Sequence, residues 1–156
     1  MYCLRRSQWV PCGVEEVFAF FADARNLEAI TPPWLKFRIV TPSPIELKAG
    51  AEIEYALAWR FVRFCWGTVI EQWQPPHVFV DKQVKGPYRA WRHTHSFAAE
   101  GRGTRMSDTV EYELPCGVLG RIAHGVRVRR DVERIFDYRA DSIGRRFGVK
   151  PPSHSA

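Results

Sequence analysis

Two periods of apolar residues divide this chain. Between Leu35 and Leu114 apolar and polar residues mostly alternate. From Val118 to Phe147 the apolar positions recur at helical spacing, at Val118, Ile122, Val132, Phe136, Ala140, Ile143 and Phe147. The opposite face of that run carries Arg121, Arg127, Arg130, Asp131, Glu133, Arg134, Asp137, Asp141 and Arg145. That pattern predicts an amphipathic helix, roughly 45 Å long at 1.5 Å per residue. A lone long helix after a strand-rich chain must bury its stripe on a sheet. Gly125 and Arg129 fall on the stripe, where close packing wants bulk. The helix is therefore expected to close the sheet incompletely and leave a cavity.

Residues 2–10 read as a first strand, ended by Pro11 and Gly13. Val14, Val17, Phe18 and Phe21 then follow at i, i+3, i+4 and i+7, with Glu15 and Glu16 in the first turn where the helix dipole favours them. A second short helix is predicted from Asn26 to Ile30, stopped by Thr31-Pro32-Pro33. Strands are predicted over 35–41, from after Gly50 to Trp59, from about 63 to 73, and over 78–85, 88–98 and 104–114. Pro42-Ser43-Pro44, Pro75-Pro76, Gly86-Pro87 and Glu100-Gly101-Arg102-Gly103 punctuate them. Six consecutive strands with short turns make an antiparallel meander. The expected fold class is α+β: a curved seven-stranded antiparallel sheet, two short helices after strand 1 and a long C-terminal helix. One domain is expected over 1–148, with a loose tail over 149–156.

Composition narrows the function classes. The 156 residues are 46% hydrophobic and 13% aromatic, with six Trp, so large rings need a core or a pocket to line. The net charge of +6 admits anionic partners, but the Arg residues are interspersed with Asp and Glu. The one dense cluster, Arg127 to Arg130, reads as a solvated helix face, and no nucleic-acid partner is expected. Cys3, Cys12, Cys65 and Cys116 show no CxxC spacing and are expected as reduced, mostly packed thiols. No run approaches a transmembrane length and the N-terminus has no apolar signal region, so the expected location is cytoplasmic.

The last two strands carry the candidate chemistry. Trp91, His93, His95 and Phe97 share one face of the 88–98 strand, and Met106, Asp108, Val110, Tyr112 and Leu114 share one face of the next. A turn at 100–103 sets Ala99 against Thr104, which puts His95 opposite Asp108 and His93 opposite Val110, about 5 Å apart. A three-residue turn at 86–88 would set Asp81 opposite His93 and Gln83 opposite Trp91, whereas a two-residue turn would bring Lys82 and Val84 inward. Trp59 and Trp66 point inward from the earlier hairpin. Apolar walls with a few convergent polar groups describe a small-molecule pocket. The candidate ligand contacts are Trp59, Trp66, Asp81, Gln83, Trp91, His93, His95, Phe97, Asp108, Tyr112, Gly125 and Arg129. The bland alternative is that His95 and Asp108 merely satisfy one another in the core. If catalysis occurs, His95 is the candidate general base and Asp108 its orienting partner. His-x-His with a nearby Asp would suit a metal, but the spacing is common and no third His is close; no metal or cofactor is assigned. Arg129 either reaches into the cavity to pair with an anionic ligand head or snorkels to its rim. Trp73 and Val69, read as outward, mark a possible homodimer patch.

These segments resemble the Bet v 1-like, START-related superfamily with the helix-grip fold, also called SRPBCC, in its ligand-binding and polyketide cyclase/dehydrase-like branch. The resemblance rests on Pro11 with Val14 to Phe21, Asn26-Leu27 through Thr31-Pro32, and Trp73-Gln74-Pro75-Pro76. It continues with Phe79-Val80-Asp81, Gly86-Pro87-Tyr88 with Trp91, His93 and His95, and Gly103-Thr104 with Met106 and Asp108. It implies a sheet wrapped round the C-terminal helix and a cavity for lipids, polyketides, sterols or quinones. Carriers, cyclases and regulatory interaction modules all occur on this fold, so the resemblance transfers no catalytic set. The iron-sulfur motif of its dioxygenase members is absent.

Overall fold

The structure is a computed structural model that describes residues 1–59, 61–115 and 127–149. Strand β1 (Tyr2–Val10) leads into helices α1 (Val14–Phe21) and α2 (Asn26–Ala29) and a 3-10 turn over Pro33–Leu35. Strands β2 (Arg38–Ile39), β3 (Glu52–Trp59), β4 (Val62–Gln74), β5 (Val78–Lys85), β6 (Ala90–Glu100) and β7 (Gly103–Glu113) follow, and helix α3 (Arg129–Phe147) comes last. All strands lie in one antiparallel sheet of order β1-β7-β6-β5-β4-β3-β2. The meander supplies β2 to β7 in chain order. Strand β1 closes on β7 over its whole length, from Tyr2 against Tyr112 to Val10 against Thr104. This is the α+β helix-grip architecture.

The β6–β7 register is the one the turn predicts. Ala99 faces Thr104, His95 faces Asp108 and His93 faces Val110, and Gly101 supplies the left-handed turn residue at φ +61°. Asp81 faces His93 on the other side, consistent with the longer of the two turns. The inward face of β1, ambiguous from the sequence, carries Leu4 and Val10 fully buried with Tyr2, Arg6 and Gln8 half-buried between them.

Four expectations need correction or fall outside the structure. The 35–41 strand shrinks to Arg38–Ile39, because Leu35 belongs to the 3-10 turn and Lys36 takes a left-handed conformation at φ 46°. Trp73 is not an outward surface residue. A β-bulge between Ile70 and Gln72 spends two residues of β4 against one of β5, which inverts the alternation. Trp73 therefore packs inward on Phe18 and Phe79, with ring centroids 5.2 and 5.6 Å away. Cys3 and Cys65 are exposed free thiols and only Cys12 is half-buried; Cys116 lies outside the described residues. The expected first turns of the long helix, Gly125 among them, also lie outside the described residues.

Helix α3 docks by its C-terminal half. Gln8 of β1 donates its Nε2 to the Ala140 carbonyl at 2.9 Å, and Gly144 leaves room for that approach, since a Cβ there would lie 3.3 Å from the same nitrogen. Gly148 ends the helix in a left-handed cap at φ 76°. At this end Ile143 and Phe147 join Val10, Val17, Phe18, Phe21, Phe79, Phe97 and Met106 in the main core. Among the described residues no helix is long and apolar enough to cross a membrane.

Candidate functional site

The other half of the sheet is not filled. Between the N-terminal half of α3, the faces of β3 to β6 and the α1–α2 segment lies a cavity of about 650 Å³. Its walls are overwhelmingly apolar, with Leu57, Trp59, Phe64, Trp66, Trp91 and Ile135 prominent. The ring of Trp66 stands perpendicular to that of Trp91 at 5.3 Å. Edge-on packing of this kind fixes ring orientation without filling the space beyond. Trp59 is held by a 3.1 Å hydrogen bond from its Nε1 to Asp131 Oδ2 of the helix, and Trp66 by one of the same length to Thr68 Oγ1.

One corner of the cavity is polar. Asp81, His93 and His95 reach it from β5 and β6, and Arg139 from α3. The two imidazoles lie with centroids 3.7 Å apart. Behind them Asp108 Oδ1 lies 2.8 Å from His93 Nε2 and 2.9 Å from His95 Nδ1. In front, Asp81 Oδ2 lies 3.0 Å from His95 Nε2 and 3.7 Å from His93 Nδ1. Phe79 stacks on His95 at 4.1 Å and Phe136 meets His93 edge-on at 5.3 Å. Both histidine side chains are nearly inaccessible, at 6% and 5% exposure.

Burial and neighbouring charge push these groups apart. Desolvation, with the adjacent His95, takes His93 down to about 4 despite its hydrogen bond to Asp108. Desolvation is also the largest single influence on His95 and acts downward, but the hydrogen bonds and charges of Asp108 and Asp81 together outweigh it and raise its pKa. Burial would raise both carboxylates; the hydrogen bond and charge from His95, with the charge of His93, hold Asp81 below its ordinary value instead. Bonds from both histidines hold Asp108 well below its own. The shifts separate the two imidazoles: His93 favours its neutral form and His95 its charged form, between two ionised carboxylates. A neutral His93 that donates Nε2–H to Asp108 leaves its Nδ1 lone pair towards Asp81.

Of the sequence-predicted site residues, Trp59, Trp66, Asp81, Trp91, His93 and His95 line the cavity. Asp108 sits behind the histidines, bordering a separate hollow of about 40 Å³. Phe97 is part of the solid core, and Tyr112 is buried with Leu4, Val110, Val132 and Phe136. Gln83 donates its Nε2 to the Tyr88 carbonyl at 2.8 Å and is not part of the cavity wall; on the β4 side it faces Thr68, and the β5–β6 pairing ends one residue earlier, at Lys82 against Arg92. Arg129 is exposed and pairs with Glu133 at 3.0 Å, so it reaches neither the cavity nor Asp108. Sequence reasoning missed Arg139, whose guanidinium lies 6.0 Å from the Phe21 ring and 5.9 Å from the Phe136 ring, with a buried Nε that has no hydrogen-bond partner. The signal was present: Arg139 stands seven residues after Val132, three after Phe136 and four before Ile143, on the buried stripe itself.

The profile of the polyketide cyclase / dehydrase and lipid transport family matches residues 10–137, and the chain belongs to that family. No curated protein matches it. Among solved structures it is similar to a protein of Chromobacterium violaceum at 10% identity, covering 97% of this chain and 100% of that one, with a TM-score of 0.73. A Thermus thermophilus protein is 19% identical over 95% of this chain and 98% of that one, TM-score 0.70. The ginseng major latex-like protein of Panax ginseng is 10% identical over 94% and 97%, TM-score 0.68. At these identities the likeness shows the fold.

Proposed function

We propose that this protein binds a small, largely hydrophobic or aromatic molecule of the lipid, polyketide, quinone or sterol kind, held between the sheet and helix α3. The observation that carries the reading is the 650 Å³ cavity, mostly apolar, with Asp81, His93, His95 and Arg139 gathered at one corner. An apolar body would occupy the Trp-lined space and an anionic or hydrogen-bonding head would take the unpaired Nε of Arg139. The cation assigned to this task is Arg139 in place of Arg129. Quenching of the cavity tryptophans tests this, using a long-chain carboxylate and the matching alcohol. Saturable binding of both is expected, with Arg139→Met weakening the carboxylate about tenfold, the cost of one charge-assisted hydrogen bond, and the uncharged alcohol by less. Absence of saturable binding by either probe would defeat the proposal.

A second reading, a cyclase or dehydratase, is favoured by two imidazoles 3.7 Å apart on a cavity wall, with the pKa of His93 pushed down by burial and that of His95 pushed up by its carboxylate neighbours. Paired groups with separated pKa values suit proton removal and return. In that case His93 is the base and His95 the acid, a reversal of the role the sequence suggested for His95. His93→Gln that binds a polyketide-like chain as the parent does, yet loses a turnover the parent performs, is the outcome this reading requires.

A further inference from the structure

The polar corner has a geometry that neither hydrogen bonding within a core nor recognition of an apolar ligand requires. Two imidazoles and two carboxylates are arranged in layers. The far nitrogens of both rings, His93 Nε2 and His95 Nδ1, converge on one oxygen of Asp108 at 2.8 and 2.9 Å. The near nitrogens, His93 Nδ1 and His95 Nε2, both face Asp81 Oδ2, and these three atoms lie within 4.8 Å of one another. Asp81, His93 and His95 border the large cavity, whereas Asp108 does not.

We propose that Asp81, His93 and His95 bind one divalent first-row transition ion, with Asp108 orienting both imidazoles from behind. Two imidazoles and a carboxylate are the donors that zinc and iron(II) accept, at about 2.0–2.2 Å. An ion at that distance from all three atoms needs them roughly 3–3.5 Å apart, and the two measured edges are 3.0 and 3.7 Å. A ligating histidine characteristically donates its other ring N–H to a carboxylate, which fixes the tautomer and raises the donor strength of the metal-facing nitrogen. Asp108 does this for His93 and stands 2.9 Å from the far nitrogen of His95. Ring positions are held further by Phe79 on His95 and Phe136 on His93. Binding requires the lone pairs of His93 Nδ1 and His95 Nε2, so uptake weakens at low pH.

Only one side of the triad is covered by protein side chains of the cluster; the other opens on the cavity, so an oxygen of water or of a cavity ligand can complete the coordination sphere.

The test uses the full chain, freed of metal with a chelator and titrated with cobalt(II) and with zinc(II) alone. Uptake of one ion per chain is expected, with a cobalt spectrum free of thiolate charge-transfer bands, which separates this site from any cysteine site. Paramagnetic shifts of the His93 and His95 ring protons should appear in the parent protein, a readout that requires no variant to fold. Asp81→Asn and His93→Gln should weaken binding at least about 100-fold, and Asp108→Asn about 10- to 100-fold with the stoichiometry kept. His77→Ala, whose ring lies against the Phe97 carbonyl away from the cluster, should change nothing. A parent protein that takes up neither ion, or uptake that survives both Asp81→Asn and His93→Gln, overturns the assignment and leaves the cluster a self-satisfied core network. Because the ions are added without an organic ligand, failure here is independent of whether the cavity binds one.

Discussion

One sheet and one helix build two ends of opposite character. At one end Ile143 and Phe147 of α3 press into Val10, Val17, Phe18, Phe97 and Met106, and the aromatic rings meet in close edge and stacked contacts. At the other end the same helix and sheet stand apart over a 650 Å³ cavity, and Leu57, Trp59 and Trp66 look across open space. The difference lies in what bridges the gap. Helix α1 inserts four buried residues, Val14, Val17, Phe18 and Phe21, at the solid end. At the hollow end the short α2, which has no fully buried residue, and the 3-10 turn with Leu35, followed by Phe37, line the rim of the space without filling it. Stability and binding are thus assigned to different halves, and the His/Asp cluster sits on the border between them.

The sharpest way to break this division is to truncate one side chain in each half. Phe97→Ala should cost about 3–5 kcal/mol, because a fully packed ring leaves a void. Leu57→Ala should cost only about 1 kcal/mol, since a residue facing a void has already lost contacts on that side. Urea denaturation measures both; equal costs would mean that the hollow end is closed in solution.

The border cluster should give the next largest effect, read as stability against pH in chelator-treated protein. His93 has a folded pKa of about 4 against 6.5 unfolded, so its contribution is complete above 6.5 and is lost as pH falls towards 4. His95 has a raised folded pKa, so its contribution is complete below 6.5 and is lost as pH rises through that folded value. The lowered carboxylates contribute above their unfolded values and lose that contribution at still lower pH. The cluster therefore gives a maximum near pH 6.5, and the acid limb steepens to at most about 1.4 kcal/mol per pH unit while His93 alone titrates. His93→Gln should remove the part of the acid limb between 6.5 and 4; an unchanged limb would mean His93 is charged in the fold.

The smallest effect belongs to the surface. Arg129→Ala removes an exposed i,i+4 pair with Glu133 and should change the denaturation midpoint by no more than about 0.5 kcal/mol, with no change in probe binding. A loss of binding there would draw the cavity boundary outward.

What the sequence made legible follows from which features are local. The 100–103 turn fixes a two-residue period on both sides, so the pairing of His95 with Asp108 could be read by counting. The arrangement of Asp108 between both histidines, with Asp81 closing the other side, depends on side-chain rotamers and was not countable. The orientation of Trp73 was lost at the register shift in β4, which leaves no mark in an alternating pattern. Arg129 was preferred to Arg139 because a gap near the start of the stripe looked like a cavity. Tertiary packing rotates that gap to solvent, while Arg139 snorkels between two phenyl rings at the border.

The bulge in β4 carries a final consequence. It makes a single thirteen-residue strand behave as two strands of opposite parity. Thr68 and Ile70 serve the hollow half, and Trp73, three positions past Ile70 instead of two or four, serves the solid half. A change of side chain on the early positions alters the shape of the binding space without entering the set of residues that holds the fold together. The extra residue is thus an insulator: it gives the chain a way to acquire a new ligand without relearning how to fold.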